Sequence, residues 1–431
     1  MNFEVTVMSN CAIVGINWGD EGKGRMVDYF ADQFEVVVRY QGGNNAGHTV
    51  INEYGKNALN LMPSGIFRKE TINLLGTGVV INPEHITGEM NKLRAKGVVI
   101  TPENLKISDR ATMVLPCHPA QDIWEETRLG KNSYGSTRRG ISPVYGDRYM
   151  KKAIQMGDLK HPESLEKHLR MLIDFKNEII VKGYGAEPVS YDETLAWIHE
   201  FGDPLIPYLC DAGDLLEQAQ KDGKSIMFEA QLGALRDIAY GIYPFSSSSS
   251  PLAAYAPVGC GLPSIKVNEV IGVTKAYSTC VGEGPFVGEL DGQAAVDLRE
   301  AGGEYGAATG RPRRVAWMDI PATAYGTKLQ GATALALTKM DVLSYLDEIP
   351  VCVAYKMGDK VLDRFPYTPD LYDCECVYET LPGWKCDISG CRKYEDLPKA
   401  ARDYVEFIEA RVGCPIKYVS VGAEREALII R

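Results

Sequence analysis

Short, continuously apolar segments alternate with amphipathic segments along this chain of 431 residues. The apolar segments are CAIVGI (11–16), EVVVRYQ (35–41), INLLGTGVV (72–80), SIMFEA (225–230), VIGVTKAYS (270–278), ATALALTKMDVL (332–343) and VCVAYK (351–356). Parallel strands are buried on both faces and therefore have such unbroken apolar sequences, while the segments between them form helices. The pattern predicts an α/β fold with a large, mostly parallel central sheet flanked by helices.

One region departs from this alternation. Residues 160–222 are dominated by helical periodicity, for example in SLEKHLRMLIDFKNEII (164–180). Apolar residues at such spacing form one face of an amphipathic helix. We therefore expect residues 1–431 to form a single domain with a mainly helical subdomain around 160–222.

Charge and cysteine usage exclude several classes of protein. The formal net charge of −11 and the pI of about 5.2 argue against a nucleic-acid-binding protein or a membrane surface. No run of about 18 apolar residues and no signal-peptide pattern occurs, so no membrane span is predicted. Eleven scattered cysteines indicate reduced thiols and a cytoplasmic location. Their one cluster does not have a standard zinc spacing, and buried or incidental thiols are the simpler interpretation: Cys374, Cys376, Cys386 and Cys391.

Two glycine-rich loops follow predicted strands: GDEGKG (19–24) and GGNNAGHT (42–49). Loops after parallel strands reach the edge of the sheet where ligands bind, and glycines let backbone N–H groups approach phosphate oxygens. The first loop differs from a Walker loop because Asn17 stands at the first glycine position, Gly24 follows Lys23, and an acidic pair lies inside. Lys23 would supply a positive charge to a phosphate. A simple strand–helix turn is the alternative for this segment alone.

Three further features suggest a nucleotide site. Thr-Lys-x-Asp (338–341) after an apolar strand can bind guanine, because a carboxylate accepts from both the ring N–H and the exocyclic amine. GAATGRPRR (306–314) is a cationic loop suited to carboxylates or phosphates. His48, among glycines and amides, could stabilise charge or transfer protons. Taken singly, a surface Lys–Asp pair, a solvated charge cluster and a structural histidine remain the alternatives. The serine run 246–251 alone indicates a flexible surface loop.

A series of segments resembles the adenylosuccinate synthetase family, in order and over nearly the whole chain. These segments are WGDEGKGR, VVRYQGGNNAGHTV, PSGI, GTGVV, DLL, KAYST, GPF, ATGRPRR, TKMDVL, CVAY, YETLPGW and VSVGAER. The resemblance implies a GTP-dependent ligase of AMP biosynthesis that joins L-aspartate to IMP, giving adenylosuccinate, GDP and phosphate, with Mg²⁺. It also implies a fold distantly related to P-loop NTPases. A homodimer is implied as well, in which Lys151 reaches the active site of the partner.

The resemblance also implies roles for individual residues. Asp20 would be the catalytic base that removes the N1 proton of IMP, and His48 would stabilise the transferring phosphoryl group. Asp20 and the carbonyl of Gly47 would hold the metal. The GTP contacts would be Gly19, Glu21, Gly22, Lys23, Gly24, Arg25, Thr49, Arg313, Lys339, Asp341, Ser420 and Gly422. The IMP contacts would be Asp20, Lys23, Asn45, Ala46, Gly47, His48, Thr137, Lys151, Leu232, Ser247 and Arg311. The aspartate contacts would be Ala307, Ala308, Thr309, Gly310, Arg311 and Arg313.

The chain departs from the family pattern mainly around the monophosphate nucleotide. Arg138 stands at a glycine position, and Lys151 replaces an arginine, which keeps the charge but loses the bidentate fork. The family's FEGAQG becomes FEAQLG, so Leu232 occupies the place of a glutamine and Gln231 lies one residue earlier. Other departures are Asn44 and Cys280. Two alternatives therefore stay open: the same ligation on another 6-oxopurine nucleotide, and a regulatory GTPase.

Overall fold

A computed structural model describes residues 10–45, 47–306 and 310–431 of the chain. The strands in these ranges are β1 (Asn10–Gly15), β2 (Val36–Arg39), β3 (His48–Asn52), β4 (Gly55–Leu59), β5 (Ile72–Leu75), β6 (Val80–Ile81), β7 (Leu105–Ser108), β8 (Thr112–Met113), β9 (Leu209–Cys210), β10 (Ile226–Glu229), β11 (Glu269–Lys275), β12 (Ser278–Cys280), β13 (Arg314–Ala316), β14 (Met318–Asp319), β15 (Ala334–Thr338), β16 (Glu348–Met357), β17 (Lys360–Leu362), β18 (Glu375–Pro382), β19 (Ile416–Ser420) and β20 (Leu428–Ile430).

The α-helices of the described ranges begin and end at well-defined signals. Asn82, Asp211 and Asp319 cap three of them by accepting a hydrogen bond from a backbone N–H of the first turn. The helices are α1 (Lys23–Phe30), α2 (Pro83–Arg94), α3 (Cys117–Leu129), α4 (Ile141–Tyr149), α5 (Pro162–Tyr184), α6 (Tyr191–Phe201), α7 (Ala212–Lys221), α8 (Ala256–Cys260), α9 (Gly292–Gly302), α10 (Ile320–Gln330) and α11 (Lys399–Val412).

A ten-stranded sheet forms the centre of the molecule, in the order β20-β19-β15-β11-β1-β10-β2-β5-β7-β9. Every neighbouring pair is parallel except β19 and β20, which are antiparallel. The strands β1, β2, β10 and β15 are buried along their whole length, as the continuous apolar segments predicted. The predicted α/β fold with a mostly parallel central sheet is confirmed.

Residues 160–222 contain three helices, α5, α6 and α7, and one short strand. That strand, β9, pairs with β7 at the edge of the central sheet. Buried charges connect α5 to the neighbouring helices: Lys176 Nζ lies 2.7 Å from Asp147 Oδ2 of α4, whose other partner is His118 of α3. The helical segment is thus tied to α4 through a buried ion pair.

The segment VCVAYK differs from expectation. It lies in β16, which pairs antiparallel with β17 and β18 and parallel with β14 in a separate four-stranded sheet. Only part of β16 is buried, whereas the strands at the centre of the large sheet are buried throughout. A short apolar sequence does not specify which sheet it joins, because both environments favour the same residue types.

Candidate active site

Loops that follow six adjacent parallel strands meet at one edge of the central sheet. The strands concerned, in spatial order, are β19, β15, β11, β1, β10 and β2. Parallel strands direct their carboxyl ends to the same edge, where open α/β sheets bind ligands. The predicted site segments begin at or just after the ends of five of these strands: GDEGKG after β1, GGNNAGHT after β2, Gln231–Leu232 after β10, TKMD after β15 and VSVG after β19.

A buried carboxylate organises the loop after β1. Glu21 Oε1 accepts hydrogen bonds from the backbone N–H groups of Asn17 at 3.1 Å and Gly19 at 2.8 Å, and Lys23 Nζ donates to Oε2 at 2.6 Å. Thr338 Oγ1 donates to the Glu21 carbonyl, which joins the loop to β15. A buried charge that is paired in this way stabilises one loop conformation. The side chains of Glu21 and Lys23 thus bond to each other, and the Gly19 N–H is taken by Glu21.

A cavity opens between this loop, the start of α1 and the ends of β15 and β19. Most of the predicted GTP contacts line it together with Asp20: Glu21, Gly22, Arg25, Thr49, Lys339, Asp341, Ser420 and Gly422. The predicted contacts Gly19, Lys23, Gly24 and Arg313 are not among its lining residues. Thr338, the first residue of the Thr-Lys-x-Asp segment, also lines it, together with four residues for which no contact was predicted: Asp28, Ile51, Ala423 and Arg425.

The far end of this cavity carries an acceptor without a partner. Asp341 Oδ1 is buried and has no hydrogen-bond partner among the described residues, and burial raises the pKa of this carboxyl. Lys339 precedes it and donates from Nζ to the carbonyl of Gly302 at 2.8 Å. On the opposite wall, Arg25 donates to Ser420 Oγ and to the carbonyl of Glu424. Asp341 is therefore placed to accept N–H donors from a ligand in the cavity.

His48, at the start of β3, is held by a carboxylate of the central sheet. Its Nδ1 donates to Oε1 of Glu229 at 2.5 Å, and Glu229 also accepts from the backbone N–H and hydroxyl of Ser64. Burial alone would raise the pKa of Glu229, but these hydrogen bonds and the charge of Arg39 lower it overall. Burial lowers the pKa of His48 by more than Glu229 raises it. The buried Nε2 atom has no hydrogen-bond partner among the residues that the structure describes.

Gly24 lets α1 start close to this histidine. A β-carbon at position 24 would stand 2.8 Å from the β-carbon of His48, closer than two such atoms approach. The glycine after Lys23, where a Walker loop has serine or threonine, is thus required by the packing of α1 against β3.

Asp20 belongs to a chain of charges that reaches the arginine-rich loop. Its Oδ2 lies 3.3 Å from Nε of Arg313, whose Nη1 donates to Oε2 of Glu304 at 2.6 Å. Lys275 Nζ and the hydroxyl of Tyr277 donate to the other oxygen of Glu304. Burial would raise the pKa of Glu304, but the charges of Lys275 and Arg313 lower it to about 2. Glu304 thus holds Arg313 beside Asp20.

The segments predicted to contact IMP differ in burial and in their hydrogen bonds. Asn45 is half-buried and accepts from the N–H of Gly43 through Oδ1, Leu232 is half-buried, and Gly47, Thr137 and Lys151 are exposed. The serine run is bonded to the fold rather than free. Ser247 N–H donates to the carbonyl of Arg236, and the neighbouring hydroxyls bond to other parts of the chain: Ser248 to Ser142, Ser249 to Gln41 and Ser250 to Asp237.

The loop predicted to bind aspartate is only partly described. Gly310 has a positive φ of 65°, and Nη2 of the exposed Arg311 lies 3.6 Å from Oε1 of Glu283. The predicted residues Ala46, Ala307, Ala308 and Thr309 lie outside the described residues.

Strained backbone coincides with these segments. Among the described non-glycine residues, positive φ angles occur at Asp20, Arg138, Lys151, Leu232 and Lys339, and at one further residue, Lys385. Residues with a β-carbon rarely adopt positive φ angles. Where they do, the surrounding contacts hold the strained backbone in place, and such residues cluster at functional sites. Four of the five are predicted site residues, and Arg138 adjoins Thr137.

Several buried polar atoms that lack hydrogen-bond partners among the described residues also belong to these segments. Besides His48 Nε2 and Asp341 Oδ1, they include Asn44 Oδ1, Gln231 Oε1 and Arg313 Nε. Buried polar atoms are normally paired, so open ones at a sheet edge fit a site that a ligand completes.

The donor set can hold a hard cation. Asp20 is about one-third exposed, with 35% of its side chain accessible, and its ion pair with Arg313 uses only Oδ2. Carboxylate and carbonyl oxygens such as those of Asp20 and Gly47 suit Mg²⁺, which completes its shell with water and phosphate. No group of three or more His, Cys, Asp or Glu side chains with metal-ligand geometry occurs in the described ranges, which include Cys374, Cys376, Cys386 and Cys391. No helix in the same ranges is long and apolar enough to cross a membrane.

Two carboxylates of the site escaped the sequence analysis. In the sequence, Glu229 and Glu304 lie outside the two glycine-rich segments, the cationic loop and the TKMD segment. His48 is 181 residues away from Glu229, and the side chains that bond to Glu304 are between 9 and 29 residues away from it. A usable signal exists for Glu229, because a charged residue at the end of the apolar strand SIMFEA must be paired when buried. No comparable pattern marks Glu304.

Comparisons with known proteins agree with this geometry. The family model described as "Adenylosuccinate synthetase" matches residues 12–429. The chain is 44% identical over 425 residues to adenylosuccinate synthetase of Halothermothrix orenii, covering 98% of this chain and 99% of that protein. It is 45% identical to adenylosuccinate synthetase 2 of Pseudoalteromonas translucida, covering 98% and 100%.

Two solved structures are also similar. The fully ligated adenylosuccinate synthetase of Plasmodium falciparum superposes with a TM-score of 0.92 at 33% identity, covering 98% of this chain and 100% of that one. A cyanophage S-2L succinoaminodeoxyadenylate synthetase bound to dGMP and dATP, at 17% identity and a TM-score of 0.62 over 98% and 95% of the two chains, shares the fold. By sequence and by structure, the chain belongs to the adenylosuccinate synthetase family.

Proposed function

We propose that this ligase joins L-aspartate to IMP, with GTP as the phosphoryl donor, and forms adenylosuccinate, GDP and phosphate. The observation that carries the proposal is the position of Asp20. Its carboxylate lines the cavity that holds the predicted GTP contacts and is ion-paired with Arg313 of the arginine-rich loop. One carboxylate thus adjoins the donor nucleotide and the loop for the amino-acid substrate.

In the first step, Asp20 takes the N1 proton of IMP. The electron pair released makes the 6-oxygen nucleophilic, this oxygen attacks the γ-phosphorus of GTP, and GDP leaves. In the second step, the amine of aspartate attacks C6, the bond between C6 and the phosphorylated oxygen breaks, phosphate leaves with that oxygen and the bonding electron pair, and the attacking nitrogen loses a proton. Positioning and electrostatics supply most of the catalysis of phosphoryl transfer, so the role of the protein is to hold these groups in line.

His48 acts on the phosphoryl group. Because Glu229 is ionised and accepts from Nδ1, Nε2 is the ring nitrogen left to bond a ligand. The negative charge of a γ-phosphate favours the protonated imidazole, which then donates from Nε2. Glu229 is a positioning residue: it fixes the imidazole ring and stabilises the imidazolium. A carboxylate bonded to one ring nitrogen orients the other nitrogen in the same way in other histidine-dependent sites.

The guanine of GTP occupies the end of the cavity at Asp341. The open Oδ1 and its neighbour Oδ2 accept from the ring N–H and the 2-amine, a pair of donors that adenine does not offer. Lys339 lies along the base, and Ser420 and Gly422 border it. The phosphates extend towards the start of α1, where the N–H groups of the first turn and Arg25 carry positive charge.

The remaining groups bind the acceptor substrates. Asn45, Gly47, Thr137, Leu232 and Ser247 contact IMP, and the loop that ends at Arg313 contacts the carboxylates of aspartate through Arg311. Asp20 and the Gly47 carbonyl would hold Mg²⁺, which would supply positive charge against the phosphates.

The assembly and the cellular location follow from the same family relationship. We expect a homodimer in which Lys151 of one subunit binds the nucleotide of the other, and the scattered free cysteines support a cytoplasmic enzyme.

The test is direct. Purified protein is mixed with Mg²⁺, GTP, IMP and L-aspartate, the ultraviolet change of adenylosuccinate formation is followed, and each component is omitted in turn. Product that requires every component supports the proposal. Product that forms only with GMP or dGMP in place of IMP would mean that the ligase acts on another 6-oxopurine nucleotide. GTP hydrolysis at a rate independent of IMP and aspartate would contradict the proposal.

A further inference from the structure

Gln231 connects two of the loops at the sheet edge. It follows β10, is completely buried, and its Nε2 donates to the carbonyl of Gly43 in the loop after β2 at 2.7 Å. In the opposite direction, Nε2 of the equally buried Gln41 donates to the backbone carbonyl of Gln231 at 2.9 Å. We call these two side chains the amide bridge. Each glutamine lies two residues after the end of one strand and bonds to the loop that follows the other strand.

The amide bridge extends to further segments that face the acceptor nucleotide. Ser249 Oγ, in the serine run, donates to Oε1 of Gln41 at 2.7 Å. Gly43, whose carbonyl receives Gln231, donates its N–H to Oδ1 of Asn45 at 3.1 Å. A continuous path of hydrogen bonds therefore runs from the serine run through both glutamines to Asn45.

The fit between Gln231 and the glycine-rich loop is close. A β-carbon on Gly42, which has a φ of +78°, would stand 2.5 Å from Oε1 of Gln231. Gly43 is buried, so without the Nε2 donor its carbonyl would be left unpaired away from water. A loop in this situation regains a partner only by moving, and a small displacement of a substrate-binding segment is sufficient to weaken binding strongly.

Gln231 does not itself point its amide donor at a ligand, because Nε2 is used on Gly43. The residue that faces the site from this segment is its neighbour Leu232, which is half-buried and has a φ of 58°. The two adjacent residues thus have different roles. Leu232 borders the ligand, and Gln231 holds the loop that leads to Asn45 and His48.

We propose that Gln231 is a positioning residue for the acceptor nucleotide: it fixes the loop segment of residues 42–45 against the serine run so that both meet the same IMP molecule. This inference rests on the proposed function, since it takes IMP to be the nucleotide bound there. According to this inference, the glutamine of FEAQLG, Gln231, acts by holding the loop and does not contact the purine directly.

The test is Gln231→Met, which keeps the length of the side chain and removes the donor. We expect KM for IMP to rise about tenfold, with a smaller change in kcat and little change in KM for GTP. Gln231→Asn, which is one methylene too short to reach Gly43, serves as a second variant that keeps the amide group and is expected to act in the same direction.

The matched control is Asn73→Leu. Asn73 is also completely buried, donates from Nδ2 to the carbonyls of Thr71 and Asn104, and has an Oδ1 without a partner, but it lies in β5 away from the site. It should lower thermal stability without raising KM for IMP. A general loss of stability in Gln231→Met with an unchanged ratio of the KM values would overturn the positioning role.

Failure of the underlying function is recognised separately. The affinity of the wild-type protein for IMP is measured by calorimetry, which needs no turnover. Wild-type protein that neither binds nor converts IMP overturns the proposed function and this inference with it. Wild-type protein that converts IMP, with both Gln231 variants at the wild-type KM, overturns this inference alone.

Discussion

Asp20 lies in the left-handed region, with a φ of 60°, between Gly19 and the buried Glu21. An aspartate tolerates this conformation better than most residues, but it still costs free energy that the surrounding contacts must offset. Here the backbone is held by Glu21, which accepts from the N–H groups on the preceding side. The strain turns the Asp20 carboxylate out of the loop, towards the cavity and Arg313.

Asp20→Asn tests the assignment of the base. The amide has the size of the carboxylate but cannot take the N1 proton, so kcat should fall by about 10²- to 10⁴-fold while the affinity for GTP changes little. The measurements are kcat for adenylosuccinate formation and the affinity for GTP by calorimetry. Asp28→Asn, another carboxylate lining the same cavity, is the control and should retain activity. Near-normal turnover of Asp20→Asn would mean that another group is the base.

Glu304 connects the site to the acid stability of the protein. Its carboxyl has a pKa of about 2 in the folded chain, against an ordinary value of 4.5, because Lys275 and Arg313 favour the charged form despite burial. A depressed carboxyl pKa stabilises the folded state above the unfolded pKa. This contribution, roughly 3 kcal/mol, is lost as the pH falls from about 4.5 through about 2.

Glu304→Gln should remove this dependence on pH. The variant will be less stable than the wild type at neutral pH, because Lys275 and Arg313 lose their partner. Between pH 5 and pH 2, however, its free energy of unfolding should fall by roughly 3 kcal/mol less than that of the wild type. Urea unfolding across this range measures both, with the exposed Glu300→Gln as the control. Parallel pH profiles of Glu304→Gln and wild type would contradict the assignment.

At the scale of elements, the strands at the centre of the sheet were predictable and the membership of β16 was not. The segments around β1, β2, β10 and β15 are apolar throughout because both faces are covered, and this is visible in the sequence. VCVAYK has the same composition, yet it belongs to the smaller sheet because its partners β17 and β18 follow it closely along the chain. The apolar composition of a segment indicates that it is buried. Which strands it pairs with depends on its spatial neighbours, which the segment's own sequence does not specify.

In the site, too, some features could be predicted from the sequence and others could not. Loops after parallel strands must meet at one edge, so the convergence of GDEGKG, GGNNAGHT and TKMD could be predicted. The pairing of His48 with Glu229, 181 residues apart, and of Gln231 with Gly43, 188 residues apart, could not. Such contacts depend on the registers of several strands at once, which no local pattern encodes.

Asp341→Asn tests the loop after β15. The substitution replaces an acceptor of two hydrogen bonds by a group with one acceptor and one donor, so KM for GTP should rise about 10- to 100-fold while KM for IMP is spared. Xanthosine triphosphate, which has an oxygen in place of the 2-amine, should become the better donor for the variant. Asp347→Asn, an exposed aspartate shortly after in the chain, is the control. An unchanged KM for GTP would exclude guanine from this position.

At the scale of the whole molecule, the surface around Lys151 bears on whether two subunits share an active site. It follows α4, is exposed, and has a positive φ of 61°. The adjacent end of α4 exposes Tyr149 and Met150, with 72% and 50% of their surfaces accessible. Exposed large apolar side chains beside a strained lysine fit a surface that a second subunit covers, with the lysine directed into the neighbouring site.

A shared active site predicts that two defective subunits can complement each other. Lys151→Ala should raise KM for IMP about tenfold, since it removes a charged partner of the phosphate, and Asp20→Asn should be inactive. In a hybrid dimer of the two variants, one site combines the intact Asp20 of one subunit with the intact Lys151 of the other. Random exchange makes half of the dimers hybrids, so about a quarter of the sites regain wild-type kinetics. Subunits are mixed, exchanged under mild denaturant and assayed at an IMP concentration below the KM of Lys151→Ala, with each variant mixed with itself as the control. If activity merely averages that of the two variants, Lys151 serves its own subunit or none.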